Sequence, residues 1–123
     1  MERIVKVQFP KNYYMSWFVT TQTSLNVTVT LEDDSKTYFS SSRQNTKINP
    51  PLAMDADFVS GDNLRVKINI DGAEHILGTP HLNEILTDEG ISVGKEFTMC
   101  VEDSKDKDYN DVAISIIGWK GVG

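Results

Sequence analysis

The sequence predicts a single all-β domain spanning residues 1–123, folded as an antiparallel β-sandwich of jelly-roll type. Val, Ile and Thr make up about a quarter of the 123 residues, and β-branched residues are enriched in strands. They fall in short segments where apolar and polar residues alternate, the pattern of a strand with one buried face. Turn residues separate these segments, and no long helical pattern interrupts them.

The predicted strands of the first half are bounded by turn residues. Apolar residues near the N-terminus stop at Pro10, and an aromatic segment around Trp17 follows a Lys-Asn turn. The clearest alternation places four apolar side chains on one face of a strand. These side chains belong to Leu25, Val27, Val29 and Leu31. A further strand begins at Thr37 and ends in a serine-rich loop.

The second half has a weaker pattern before it becomes regular again. Residues 43–61 alternate poorly and contain Pro50-Pro51, so we expect mostly loop there. Residues 64–70 alternate and precede an Asp-Gly hairpin turn. Residues 81–88 fit a short helix and an irregular strand equally well. Strands at residues 97–101 and 112–119 complete the predicted fold.

Charge and composition exclude several classes of partner. Twelve Lys and Arg oppose eighteen Asp and Glu, a formal net charge of -6, which disfavours nucleic acid and anionic membranes. One cysteine, Cys100, cannot form an internal disulfide, and we expect it to be buried or half-buried. No apolar segment reaches the roughly 20 residues that span a bilayer, and no signal-peptide pattern is visible. We therefore expect a cytoplasmic protein or one released by a non-classical route.

An acidic loop lies between the last two predicted strands. Five of the eighteen acidic residues fall within residues 102–111, and most such charge clusters are solvated turns. Here the flanking strands hold the carboxylates together. The spacing D-x-D-x-N-D at residues 106–111 supplies oxygen ligands at the density that Ca²⁺ requires, roughly six to eight at about 2.3–2.6 Å. The sequence thus predicts a calcium loop.

The spacing excludes an EF-hand. If Asp106 is position one, position six is Asp111 instead of Gly, and position twelve is Ile117 inside an apolar strand. The loop must therefore be carried by a β scaffold, with Glu102 contributing from the end of the preceding strand.

At these residues the sequence resembles a known family. The pattern E-D-x-x-D-x-D-Y-N-D at residues 102–111, followed by an apolar strand, Trp119 and Gly123, is similar to the calcium-dependent fucose- and mannose-binding lectins of bacteria, of the soluble lectin II type. Looser similarities extend over the rest of the chain, including a Phe-Pro near the start and a V-x-I-x-I-D-G hairpin.

The resemblance implies two adjacent calcium ions that bind vicinal hydroxyls of a fucose- or mannose-type sugar. The implied ligands in the loop are Glu102, Asp106, Asp108, Asn110 and Asp111. Two further ligands are implied, namely the main-chain carbonyl of Thr20, where the family usually has Asn, and the C-terminal carboxylate of Gly123 from a neighbouring subunit. Sharing that carboxylate implies a homodimer or homotetramer.

The resemblance also implies which residues contact the sugar. Thr21, Gln22 and Thr23 replace the family's smaller Ser and Gly residues in the loop that sets sugar preference. Asp103 matches a carboxylate that accepts hydrogen bonds from sugar hydroxyls. The sugar would also meet four of the implied calcium ligands, which are Asp106, Asp108, Asn110 and Asp111.

Two functions other than a lectin fit parts of the sequence. A pair of carboxylates can hydrolyse a glycoside, but with a metal ion bound these acids would be occupied as its ligands. His75 and His81 lie apart from any nucleophile motif, so no catalytic residue is expected. A β-sandwich module whose calcium loop only stiffens the fold remains the alternative.

Overall fold

The computed structural model describes residues 1–123, which form nine strands in two antiparallel sheets. The strands are β1 (Glu2–Lys6), β2 (Tyr14–Thr21), β3 (Thr23–Glu32), β4 (Thr37–Asn45), β5 (Ala53–Phe58), β6 (Arg65–Ile70), β7 (His81–Leu86), β8 (Ser92–Val101) and β9 (Val112–Trp119). One sheet has the order β1-β6-β3-β4 and the other β5-β2-β9-β8-β7. The predicted all-β sandwich is therefore confirmed. Nowhere does the chain form a helix with the length and hydropathy needed to cross a bilayer.

The core lies between the two sheets and is built from the alternating apolar residues. In the four-stranded sheet Val29 of β3 is paired with Ile68 of β6, and both are fully buried. In the five-stranded sheet Met99 of β8 is paired with Ile114 of β9. Because successive side chains of a strand point to opposite faces, each such pair turns its polar neighbours outward.

Three strands of the larger sheet meet at one end of the sandwich, where β2 and β8 end and β9 begins. The last pair between β8 and β9 joins Val101 to Val112, and the acidic loop connects these two residues. The last pair between β2 and β9 joins Thr21 to the same Val112. The end of β2 is thereby held beside the acidic loop.

Residues 43–61, expected to be mostly loop, contain more strand than predicted. β4 continues to Asn45, and β5 pairs antiparallel with β2 as an edge strand. Residues 81–88, which fitted helix and strand equally, form β7 at the other edge of the sheet. Edge strands bury little of either face, so their sequences need not alternate.

The expected burial of Cys100 is also wrong. The thiol-bearing residue is exposed on the outer face of the five-stranded sheet, because its neighbours Met99 and Val101 point into the core. The residue that follows an inward side chain in a strand must face outward.

Candidate metal and sugar site

The acidic loop is tied to a distant segment at its first residue. Glu102 forms an isolated antiparallel bridge with Leu77. The N–H of Leu77 donates to the Glu102 carbonyl oxygen at 3.0 Å, and the N–H of Glu102 donates to the Leu77 carbonyl at 2.8 Å. This pairing continues the sheet beyond β8 and fixes where the Glu102 side chain enters the loop.

The Glu102 carboxylate closes the loop upon itself. It is only 1% exposed, and its two oxygens accept hydrogen bonds from the backbone N–H groups of Ser104 and Tyr109, each at 3.0 Å. Lys107 and Tyr109 adopt left-handed backbone angles, with φ of 58° and 54°. Such angles turn the chain tightly and are uncommon outside Gly, Asn and Asp, which marks the loop as an unusually compact turn.

Four carboxylates converge inside this turn. One oxygen from each of Glu102, Asp106, Asp108 and Asp111 lies within 4.8 Å of the others. Glu102 and Asp111 are buried, whereas Asp106 and Asp108 are exposed. The cluster is therefore anchored in the sheet on one side and open to solvent on the other. Hard oxygen donors at this spacing suit a cation such as Ca²⁺.

The electrostatics of the cluster reflect this crowding. Burial, together with the nearby carboxylates of Asp103 and Glu102, raises the pKa of Asp111 to about 7. Burial alone would raise the pKa of Glu102, but hydrogen bonds from the Tyr109 and Ser104 backbone and from neighbouring carboxyls lower it to about 2. Hydrogen bonding to Glu102 is the main cause that raises the pKa of Asp106. A bound cation would relieve this repulsion.

Asp103 and the turn after β2 are joined by direct hydrogen bonds. The Thr23 hydroxyl donates to Asp103 Oδ2 at 2.6 Å. The backbone N–H of Asp103 donates to Asp111 Oδ2 at 2.8 Å, and that of Gln22 donates to the Asp111 carbonyl at 3.0 Å. Asp103 is buried, so its carboxylate holds the β2–β3 turn against the loop.

The turn residues differ in what they offer a ligand. Thr20 is buried and lies opposite Ala113 of β9. Thr21 is fully buried, and its hydroxyl has no hydrogen-bond partner. The Thr23 hydroxyl is already engaged by Asp103. Of the three side chains expected to contact a sugar, only that of Gln22 is partly exposed.

Asn110 and Gly123 occupy very different places. Asn110 is half-buried within the loop beside Asp111. Gly123 is exposed and follows Trp119, at the end of β9 away from the loop. Since a strand rises about 3.3 Å per residue, the two ends of β9 are separated by on the order of 25 Å. The chain therefore does not bring its own Gly123 to the acidic loop.

One contact with the loop was missed by sequence reasoning. His75 Nε2 lies 2.7 Å from the carbonyl oxygen of Ser104, so the ring N–H donates to it. The backbone N–H of the preceding Glu74 donates to the Asp103 carbonyl at 3.3 Å. Nothing in the local sequence signals a pairing across 29 residues, although the bridge at Leu77 places this segment there. His81 lies apart on β7 and is exposed.

Comparison with known proteins identifies the fold. No known family model and no curated protein matches the sequence. Solved structures do match over nearly the whole chain. The Chromobacterium violaceum lectin CV2L in complex with α-methyl-fucoside has 18% identity and a TM-score of 0.67, covering 98% of this chain and 96% of that one. The chain has the fold of a bacterial lectin.

Two other lectins show the same relationship. The C-terminal domain of the BC2L-C lectin from Burkholderia cenocepacia has 18% identity and a TM-score of 0.65, with full coverage of both chains. The Ralstonia solanacearum high-affinity mannose-binding lectin has 16% identity and a TM-score of 0.66, covering 98% and 96%. This lectin fold agrees with the resemblance drawn from residues 102–111.

Proposed function

We propose that this protein is a carbohydrate-binding lectin without catalytic activity, and that it binds its sugar through two calcium ions. The observation that carries the proposal is the convergence of four carboxylates within 4.8 Å at one edge of a lectin fold. The structural neighbours include a lectin in complex with α-methyl-fucoside and a mannose-binding lectin. We therefore propose a fucose- or mannose-type sugar as the ligand.

The number of oxygen ligands supports a site that is completed by other groups. Two calcium ions take roughly 12 to 16 oxygen positions between them, more than four carboxylates supply even when some are shared. Glu102, Asp106, Asp108 and Asp111 would hold the ions, together with the Asn110 side chain and the Thr20 main-chain carbonyl. The calcium ions would have coordination positions that the protein leaves open. Sugar hydroxyls would fill these positions, because a hydroxyl oxygen can replace a water oxygen as a calcium ligand.

The open side of the cluster would receive the sugar. Asp106 and Asp108 are exposed there, and the partly exposed Gln22 lies at the neighbouring turn. We propose that Gln22, with Thr21 and Thr23 shaping the turn, sets the preference among sugars. Asp103 would accept a hydrogen bond from a sugar hydroxyl only in addition to the one from Thr23, which a carboxylate with two oxygens permits.

We also propose that a second copy of the chain completes the site. Gly123 lies at the far end of β9 from the loop, is exposed, and has no side chain to obstruct its approach to another molecule. Its carboxylate would supply a further calcium ligand to the partner subunit, which requires a homodimer or homotetramer. Deleting Gly123 should then weaken sugar binding and shift the oligomeric state measured by sedimentation.

Isothermal titration calorimetry tests the proposed function. Methyl α-fucoside and methyl α-mannoside are titrated first in calcium and then after addition of excess chelator. We expect saturable binding of at least one sugar in calcium and none in chelator. Asp108→Asn should abolish binding, whereas Asp88→Asn, at an exposed acid on the β7–β8 turn, should leave it unchanged.

Two results would contradict the proposal. Sugar binding that persists in chelator would exclude calcium as the bridge. Calcium binding without heat from either sugar would instead support the alternative, in which the loop binds calcium only to stiffen the sandwich.

A further inference from the structure

A cavity lies beside the acidic loop on the outer face of the five-stranded sheet. Its volume is about 360 Å³, within the range of roughly 300–1,000 Å³ typical of small-molecule sites. It is lined by Thr79, His81, Thr98, Met99, Cys100 and Tyr109. None of these residues is among the expected ligands of the calcium or the first sugar, so the cavity is a separate feature.

Tyr109 belongs both to this cavity and to the acidic loop. It stands between Asp108 and Asn110, and its backbone N–H donates to Glu102 Oε1 at 3.0 Å. Tyr109 lines the cavity and is 40% exposed. The cavity wall therefore includes a residue that lies in sequence between two of the proposed calcium ligands.

The opposite wall is held by the bonds that position Glu102. The segment from Leu77 to Thr79 lies against β8, because Leu77 forms the bridge to Glu102. Gly78 makes this close approach possible, since a Cβ there would lie 2.4 Å from the Cys100 carbonyl oxygen. The bridge that positions Glu102 therefore also holds the Thr79 side of the cavity against β8.

The lining offers hydrogen-bonding groups that the chain does not use itself. The hydroxyls of Thr79, Thr98 and Tyr109 and the ring of His81 make no side-chain hydrogen bond within the protein, unlike His75, which contacts Ser104. Hydroxyls and an imidazole can both donate and accept, and an aromatic ring packs against apolar C–H groups. This combination suits a neutral ligand rich in hydroxyl groups.

We infer that this cavity is a subsite for the second residue of an oligosaccharide whose first residue occupies the proposed calcium site. The inference rests on the proposed function and extends it, because it assigns a preference for extended glycans over monosaccharides. It also places the chain's one thiol, Cys100, in the wall of the subsite, which provides a way to block the cavity alone.

The test compares short and extended sugars before and after the thiol is modified. Calorimetry in calcium uses methyl α-fucoside against fucosyllactose, and methyl α-mannoside against the α-linked mannobioses. We expect at least one extended sugar to bind about tenfold more tightly than its monosaccharide. Alkylation of Cys100 with N-ethylmaleimide should remove that advantage and leave the affinity for the monosaccharide unchanged.

Two variants control for nonspecific damage. Cys100→Ser has no thiol to alkylate, so treatment with N-ethylmaleimide should change neither affinity. Thr98→Trp fills the cavity without chemical modification and should show the same selective loss as the alkylated protein. Circular dichroism confirms that each protein is folded.

The outcomes separate this inference from the function on which it rests. If monosaccharides bind but no extended sugar binds more tightly, or if alkylation weakens both equally, the subsite is wrong and the lectin function stands. If no sugar binds in calcium at all, the proposed function fails and the subsite with it.

Discussion

Asp111→Asn should make the metal-free protein more stable while abolishing calcium binding. The folded state raises the pKa of Asp111 from 3.8 to about 7, chiefly through burial. Between these pH values the folded state binds a proton that the unfolded state has lost, so stability falls as pH rises and reaches its lowest level above about pH 7. The contribution of protonated Asp111 to the stability is fully present only below about pH 4.

The magnitude follows from the pH window. From pH 5 to pH 7 the difference of two pH units at about 1.36 kcal/mol each amounts to about 3 kcal/mol. Glu102 does not oppose this loss, since its pKa of about 2 lies below its ordinary value and its contribution is lost only as pH falls below about 4.5. Asn cannot ionise, and it can still accept the hydrogen bond that Asp103 donates to position 111.

Urea unfolding in excess chelator, followed by tryptophan fluorescence, measures the effect. Wild-type protein should lose about 3 kcal/mol between pH 5 and pH 8, a decrease of roughly 1–3 M in the urea midpoint. The Asp111→Asn midpoint should stay nearly constant over the same range. Added calcium should stabilise the wild type at pH 8 and leave the variant unchanged. A flat wild-type profile in chelator would refute the reasoning.

Three other substitutions test the packing of the sandwich by the same unfolding assay. Thr21→Val replaces a fully buried hydroxyl without a partner and should stabilise the fold by about 1 kcal/mol; destabilisation would show that the hydroxyl has a partner. Asp33→Ala removes a buried carboxylate that accepts hydrogen bonds from Ser35, Lys36, Tyr38 and Gly61, and should cost about 3 kcal/mol or more, a result that a loss under 1 kcal/mol would contradict. Gly78→Ala places a Cβ 2.4 Å from the Cys100 carbonyl and should cost about 2 kcal/mol, whereas Gly121→Ala, which meets nothing within 4 Å, should be neutral.

The fold class could be predicted because core strands carry their environment in their sequence. β3 and β6 face the core on one side and solvent on the other, so their residues alternate strictly, as Leu25–Leu31 and Leu64–Ile70 show. β5 and β7 could not be assigned in this way. Both are edge strands whose residues are mostly partly or fully exposed, and their structure depends on pairing with β2 and β8.

The candidate site was partly readable for a similar reason. The spacing of Glu102, Asp106, Asp108 and Asp111 is local, and the structure does bring these four carboxylates together. The roles of Thr21 and His75 depend on contacts between segments far apart in the chain, which spacing does not encode. The exposure of Cys100 was available from strand alternation, because Met99 and Val101 are apolar neighbours on either side.

A crystal structure grown with calcium and methyl α-fucoside or methyl α-mannoside tests the proposed site most directly. Anomalous diffraction should reveal two adjacent calcium ions bound by the carboxylates of residues 102–111, with sugar hydroxyl oxygens on both ions. A loop that binds a single ion, or a sugar bound elsewhere on the sandwich, would contradict the proposal.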